Sequence, residues 1–241
     1  MKYKIRNINT GGYNIIMKRE LENFIIRSEQ ELDYFDETVD YITENEKRIL
    51  KFFKLDKLPQ KVDIQIVNYE QLKEYYASHN WKFHNFIRGV SNLHDKEIRM
   101  LTIEDQRKYT THKDADIDQF KTTTLHEFVH ECHGFVCSDD SKEINWFREG
   151  LATNLSNQKW KIVDLSKCDF EKVKNDLYNY KAGYSYAHTL VNYVISNYSE
   201  EEIFKLSSDG NYLKEKADSM FKEAREWVSK KIKTTDDNRD R

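Results

Sequence analysis

The sequence is poor in the residues that mark linkers, tight turns and disulfide frameworks. Its 241 residues include one proline, seven glycines and three cysteines. The scarcity of proline and glycine leaves no obvious linker, and no internal repeat or low-complexity segment is present. An odd, small number of cysteines argues against a disulfide framework, so we expect Cys132, Cys137 and Cys168 to be free, buried thiols. A disulfide or a metal site at Cys132 and Cys137 is the alternative.

Long apolar runs and runs of one charge are also missing. No stretch approaches the roughly 18 consecutive apolar residues of a membrane span, and no apolar leader segment follows the N-terminus. We therefore expect a cytoplasmic protein with no membrane partner, or a secreted one if a signal peptide has been removed. The net charge is −3 with both signs interspersed, which predicts no nucleic-acid partner.

The domain organisation follows from where periodic patterns begin and end. With 38% hydrophobic residues, the chain can bury a sizeable core. Residues 1–16 show no periodic pattern, and residues 234–241 are almost entirely polar or charged. We predict a flexible arm at 1–16, a domain over 17–233 with two lobes and a cleft near 126–149, and a disordered tail at 234–241.

Apolar spacing predicts a mixture of helices and strands. Residues 17–54 repeat apolar side chains at helical spacing, which predicts one long helix or two joined helices. Residues 97–103 are predicted as the second arm of a β-hairpin and as an edge strand. The helix over 118–133 should end with Gly134 as its C′ residue. The remaining predicted elements are a strand at 62–66, a helix at 69–80, a first hairpin arm at 86–91, a polar loop at 104–116, and helices at 144–158, 184–197 and 212–233.

The strongest chemical signal is the segment His126-Glu127-Phe-Val-His130. Two histidines at positions i and i+4 lie on one face of a helix, one turn apart, so both imidazoles can reach one metal ion. Glu127 projects beside them, where it can take a proton from an attacking water. Catalytic zinc has three protein ligands and one open position, so a third ligand is needed.

Glu149 is the candidate third ligand. The pattern HExxHxxGxxH does not fit, because His133 stands at the glycine position and Val136 at the third-histidine position. Eighteen residues separate His130 from Glu149, enough to leave the first helix, turn and return antiparallel. Thr153, one turn after Glu149, either orients this ligand or is a plain helix-surface threonine. We expect His133 to be an exposed or capping histidine near the helix end.

The block from His126 to Ala152 resembles the gluzincin metallopeptidases, in particular those with a catalytic domain of the aminopeptidase N type. The resemblance is carried by HExxH, the eighteen-residue spacing and W-x-x-E-G-x-A around Glu149. It extends from about residue 20 to residue 233, but only this block is specific. It implies that His126, His130 and Glu149 bind Zn²⁺ and that Glu127 is the general base and then the general acid.

The resemblance also implies a tyrosine that stabilises the oxyanion of the tetrahedral intermediate. Tyr184 matches the family position best, with Tyr186 as the rival and His188 as a third candidate. The chain holds fifteen tyrosines, and most tyrosines on amphipathic helices are core or boundary residues, so a purely structural role for Tyr184 stays open.

The expected fold is α+β and zincin-like, with a small twisted sheet packed on the HExxH helix, a mainly helical C-terminal lobe and zinc in the cleft. The expected function is a hydrolase, a zinc metalloprotease acting on peptide or protein substrates. Aminopeptidases of this type carry G-x-M-E-N on the edge strand to hold the free amine of the substrate, and residues 98–102 lack it, so we predict an endopeptidase. The alternatives are a non-catalytic zinc- or peptide-binding sensor or scaffold, and a latent enzyme whose arm at 1–16 covers the cleft.

Overall fold

A computed structural model describes the backbone of residues 9–10, 13–14, 16–139 and 141–237, and the side chains of residues 16–139 and 141–231. Most of the predicted arm and the end of the predicted tail, 238–241, lie outside the described residues. In chain order, the strands are β1 (Asn9–Thr10), β2 (Tyr13–Asn14), β3 (Met17–Glu20), β4 (Phe24–Ser28), β5 (Val62–Val67), β6 (Gly89–Asn92) and β7 (Glu97–Leu101). The helices are α1 (Phe35–Phe52), α2 (Tyr69–Ser78), α3 (Ile103–Tyr109), α4 (Ile117–Val136), α5 (Asn145–Leu155), α6 (Phe170–Asp176), α7 (Gly183–Asn197), α8 (Glu200–Ser208) and α9 (Gly210–Asp237).

The fold class is α+β, as predicted. The chain forms two compact units, one of Met1–Lys51 with Leu55–Cys132 and the other of Phe52–Lys54 with His133–Arg241. Among the described residues, no helix is both long enough and apolar enough to cross a membrane. All three cysteines are free, as predicted; Cys132 and Cys137 are buried and Cys168 is partly buried.

A five-stranded mixed sheet organises the first unit. Its order is β3-β4-β5-β7-β6, with parallel pairing of β5 to β4 and to β7 and antiparallel pairing at both ends. Alternate side chains of the parallel strands, such as Ile64 and Ile98, are fully buried. Helix α4 lies against this apolar face, where the Phe128 ring meets the Phe24 ring edge to face with centroids 5.8 Å apart. The sheet therefore provides the platform for the HExxH helix.

Helix α2 packs against a second hydrophobic cluster of the same unit. Its side chains Leu72, Tyr75 and Tyr76 join Val67 of β5 and Leu101 of β7. The capping box at its start is complete, since Asn68 accepts from the backbone of Gln71 and Gln71 accepts from the backbone of Asn68. The helix predicted at 69–80 is thus present as α2.

The prediction of a helix from residue 17 onward is wrong for the first part of that segment. Residues 17–28 form the antiparallel pair β3 and β4, and α1 starts only at Phe35. In β4, Phe24, Ile26 and Ser28 are buried and alternate with half-buried residues. Apolar residues three and four apart fit either period over so short a stretch, and parallel pairing of β4 with β5 decides for the strand.

The prediction that residues 97–103 form an edge strand is also wrong. Strand β7 lies between β5 and β6, so β6 is the outer strand on that side of the described sheet. The hairpin itself was predicted correctly, but its second arm pairs in parallel with β5 and its first arm is therefore left on the outside.

Two further predictions in this region need correction. The polar loop predicted at 104–116 contains α3, which begins where the Thr102 hydroxyl accepts from the Asp105 N–H at 3.2 Å. Helix α4 does not end at Gly134, because the Cys137 N–H still donates to the His133 carbonyl at 2.9 Å. Glycine is tolerated here, inside the last turns of the helix.

The second unit is helical in its described part, and α5 and α7 approach each other closely within it. A side chain at Gly150 would overlap Val191 and would lie 2.6 Å from the carbonyl oxygen of Ala187. The glycine therefore lets the two helices approach closely and fixes the position of Glu149 beside it. The helices predicted at 144–158, 184–197 and 212–233 are present as α5, α7 and α9, whereas α6 and α8 were not predicted.

Candidate metal centre

Helix α4 carries the HExxH motif, and its position is held by a capped N-terminus and by buried side chains. The Asp116 carboxylate accepts from the Gln119 N–H at 2.7 Å and caps the start of the helix. Phe120, Leu125 and Phe128 are fully buried, so the helix cannot rotate about its axis without exposing them. This packing determines which way the polar face of α4 points.

His126 and His130 meet on that polar face. Their Nε2 atoms are 3.1 Å apart, and the two rings are nearly perpendicular, with centroids 4.7 Å apart. Two nitrogen ligands at the usual 2.0–2.1 Å from one tetrahedral zinc are separated by about 3.3 Å. The observed separation therefore matches the spacing that a shared metal ion requires.

Glu149 offers the third candidate ligand atom. A ring nitrogen from each histidine and a carboxylate oxygen of Glu149 lie within 4.8 Å of one another. Glu149 is 7% exposed, like His126. A buried carboxylate with two imidazoles fits zinc and also other divalent transition metals. The three residues predicted from spacing are thus a group that could hold a metal ion.

Glu127 lies next to His126 on α4 and is half-buried. Its neighbour across the first unit is Tyr76 of α2, whose pKa is raised, mainly by burial and further by the negative charge of Glu127. A carboxylate that remains half accessible can exchange a proton with water. Its placement beside the two histidines is compatible with the predicted role of general base.

A row of aromatic side chains lies beside Glu149 within the second unit. The Tyr178 hydroxyl donates to Glu149 Oε1 at 3.0 Å. The Tyr184 ring lies 6.1 Å from the Tyr178 ring and is stacked at 6.2 Å, nearly parallel, on Trp160. Tyr184 at the start of α7 therefore adjoins the residue that contacts the candidate ligand.

The two alternatives to Tyr184 have different surroundings. The Tyr186 ring stacks on Tyr180, with centroids 5.8 Å apart. His188 is buried, and its Nδ1 lies 3.2 Å from the hydroxyl of Thr153. Since that hydroxyl donates to the Gly150 carbonyl at 3.0 Å, His188 Nδ1 is the donor of the pair. Burial lowers the pKa of His188 to about 4, so this imidazole is neutral near pH 7.

Thr153 and His133 each have a defined partner. Thr153 is buried and contacts His188, so it is not a surface residue. His133 is 3% exposed, which contradicts the expectation of an exposed histidine. Its Nε2 lies 2.8 Å from the Ser207 carbonyl, one of the last carbonyls of α8, so it caps a different helix and not, as was expected, the end of its own helix.

Sequence reasoning missed one contact of this centre and one buried carboxylate next to it in the sequence. Tyr178 gave no motif signal, because it lies in the turn after α6, a helix that was not predicted. Glu131 directly follows His130, is fully buried, and has no hydrogen-bond partner for either carboxylate oxygen within the described part of the chain. Burial raises the pKa of Glu131 to about 7, with Glu127 adding to the rise while Lys96 and His130 oppose it. A carboxylate inside the H-E-F-V-H-E run was visible in the sequence, but its burial was not.

Comparison of the chain with protein-family models and with curated proteins found no match. The functional conclusion therefore depends on the residues and their geometry.

Proposed function

We propose that the protein is a zinc-dependent peptidase of the gluzincin type that hydrolyses internal peptide bonds. The observation that supports this most is the approach of His126, His130 and Glu149, whose ligand atoms lie within 4.8 Å of one another. A zincin-like fold is part of the proposal. It is supported by the packing of the HExxH helix on the apolar face of a small mixed sheet.

The proposed chemistry assigns one role to each residue. Zinc with three protein ligands and an open position supplies Lewis-acid catalysis and lowers the pKa of water to about 7. Glu127 accepts the proton of the water that attacks the peptide carbonyl and then donates it to the leaving amine. Tyr184 is proposed to donate a hydrogen bond to the developing oxyanion. Retention of Glu127 favours catalysis over a scaffold role, because metal binding alone does not require it.

The preference for internal bonds rests on the absence of an ammonium-binding carboxylate at the edge of the sheet. The outer strand β6 reads Gly-Val-Ser-Asn and has no acidic residue. The nearby carboxylates have other partners: Glu97 pairs with Arg99 at 3.2 Å, and Glu104 accepts from the Tyr34 hydroxyl at 3.2 Å. An extended peptide can instead pair with the backbone of β6, which does not require a free N-terminus.

The test combines metal analysis with peptide cleavage. Protein purified without chelator should contain about one zinc ion per chain, as a single three-ligand site requires. It should cleave a long peptide at internal bonds whether the N-terminus is free or acetylated. Release of single residues from the free form only would restore the aminopeptidase assignment. Full zinc occupancy with no cleavage in a random peptide library would favour the sensor or scaffold, and metal-free folded protein would refute the proposal.

A further inference from the structure

A hydrogen bond joins a half-exposed tyrosine to a buried carboxylate in the second unit. The Tyr178 side chain is 51% exposed and Glu149 is 7% exposed, yet the Tyr178 hydroxyl donates to Glu149 Oε1 at 3.0 Å. Tyr178 is thus oriented with its polar end inward, although solvent is available to hydrate it. An exposed phenol has no need of a protein partner, so this orientation calls for an explanation.

The turn that carries Tyr178 is closely specified. A side chain at Gly183 would overlap the carbonyl oxygen of Leu177, so only glycine fits there. Ala182, just before α7, has φ of 65°, a left-handed conformation that is uncommon for a residue with a side chain. The Gly183 N–H closes the turn by donating to the Tyr180 carbonyl at 2.9 Å. Residues in such conformations persist where the surrounding structure over-determines them, and they cluster at active sites and ligand-binding sites.

A second local contact fixes the far side of the turn. The Tyr180 hydroxyl accepts from the Asp169 N–H at 3.1 Å, at the start of α6, and its ring stacks on Tyr186. Tyr178 and Tyr180 are therefore two phenols of one turn with different partners. One reaches the candidate metal ligand and the other stabilises a helix end.

We propose that Tyr178 is a positioning residue that orients the carboxylate of Glu149 for metal binding. This inference rests on the proposed function, since it takes Glu149 to be a ligand. A carboxylate can rotate about its last bond, and a hydrogen bond to Oε1 restricts that rotation. Hydrogen bonds from neighbouring side chains commonly orient metal ligands, and their loss lowers metal affinity by about 10- to 100-fold. The contact of Tyr178 with the Tyr184 ring extends the ordering to the proposed oxyanion donor.

The test compares Tyr178→Phe with Tyr180→Phe, which removes one hydroxyl from the same turn. Zinc affinity is measured by competition with a chromophoric chelator. We expect Tyr178→Phe to bind zinc about 10- to 100-fold more weakly than the unmodified protein and Tyr180→Phe to bind it with unchanged affinity. Thermal unfolding of both metal-free variants shows whether each is folded. Equal affinities of Tyr178→Phe and the unmodified protein would overturn the inference.

Cobalt(II) substitution gives a readout that a merely structural role would not change. The visible absorption of bound cobalt depends on the arrangement of its ligands, so a reoriented carboxylate should alter the spectrum of Tyr178→Phe at full occupancy. Tyr180→Phe should give the spectrum of the unmodified protein, and identical spectra for all three proteins would count against the inference. Failure of the unmodified protein to bind zinc or cobalt would refute the proposed function as well. Tight binding that is lost in Glu149→Ala but kept in Tyr178→Phe would refute only the role of Tyr178.

Discussion

His133 donates its Nε2 hydrogen to the carbonyl oxygen of Ser207 at 2.8 Å, and its ring lies 5.8 Å from the ring of Phe53. It is the third histidine of α4 after His126 and His130, yet it is buried among residues of the second unit. If the proposed metal site is correct, one helix carries histidines for two different purposes, and mutation can separate them.

Replacement of His130 should affect metal binding, whereas replacement of His133 should affect stability. We expect His130→Ala to lose zinc, because two ligands remain. His133→Ala should keep zinc but lower the free energy of unfolding by about 1–3 kcal/mol, since the Ser207 carbonyl is left buried without its donor. Metal analysis and urea unfolding in chelator distinguish the two outcomes. Loss of zinc from a folded His133→Ala variant would mean that a ligand has been misassigned.

Glu127→Gln should separate metal binding from catalysis. The change preserves the shape of the side chain and removes its ability to accept a proton, so kcat/KM should fall by about 10²- to 10⁴-fold while zinc occupancy is unchanged. Glu149→Gln is the matched control on α5 and should instead weaken zinc binding. Equal loss of metal from both variants would identify Glu127 as a ligand or a structural group.

The two candidate histidine ligands could be predicted because they depend on local geometry. Residues four apart on a helix share a face whatever the surrounding fold, so the approach of His126 to His130 follows from the motif alone. Glu149 followed from its spacing and from the resemblance of the residues around it. The strand β4 was wrongly predicted as helix, because its conformation is decided by pairing of Phe24 and Ile26 with a strand more than thirty residues away.

The contacts around Glu149 illustrate the same limit within the centre. Tyr178 is one of fifteen tyrosines, and nothing in its neighbours singles it out. Its contact with Glu149 depends on the left-handed Ala182 and on the close approach at Gly183, and both are properties of the folded turn. The position of β7 inside the sheet likewise depends on its partner β5, which the hairpin pattern does not reveal.

Glu131→Gln should stabilise the metal-free protein at high pH. Because burial raises the folded-state pKa of Glu131 to about 7 from its ordinary value of 4.5, the buried carboxyl adds no penalty below pH 4.5 and destabilises the fold as the pH rises through 7. The variant cannot ionise, so it should be more stable at pH 8, by up to about 3 kcal/mol, and equally stable at pH 4.5. Urea unfolding in chelator at both pH values is the measurement.

Glu44→Gln, at an exposed position of α1, is the control and should change stability by less than about 0.5 kcal/mol. A Glu131→Gln variant that is less stable at pH 8 would show that the carboxylate has a partner in solution.

His188 should make the folded protein sensitive to acid. Its burial holds the folded-state pKa at about 4, below the ordinary value of 6.5 for histidine. As the pH falls from 6.5 to 4, the unfolded chain therefore takes up a proton that the folded chain does not. The free energy of unfolding is therefore unaffected by His188 above pH 6.5 and should decrease by up to about 3 kcal/mol as the pH falls towards 4.

Urea unfolding at pH 7, 5.5 and 4 should show that the free energy of unfolding depends less steeply on pH in His188→Asn than in the unmodified protein. Thr153→Val removes the partner of His188 Nδ1 but leaves the ring buried, so this control should keep the steeper dependence. Parallel curves for His188→Asn and the unmodified protein would mean that water reaches the imidazole and that the ring is protonated without unfolding.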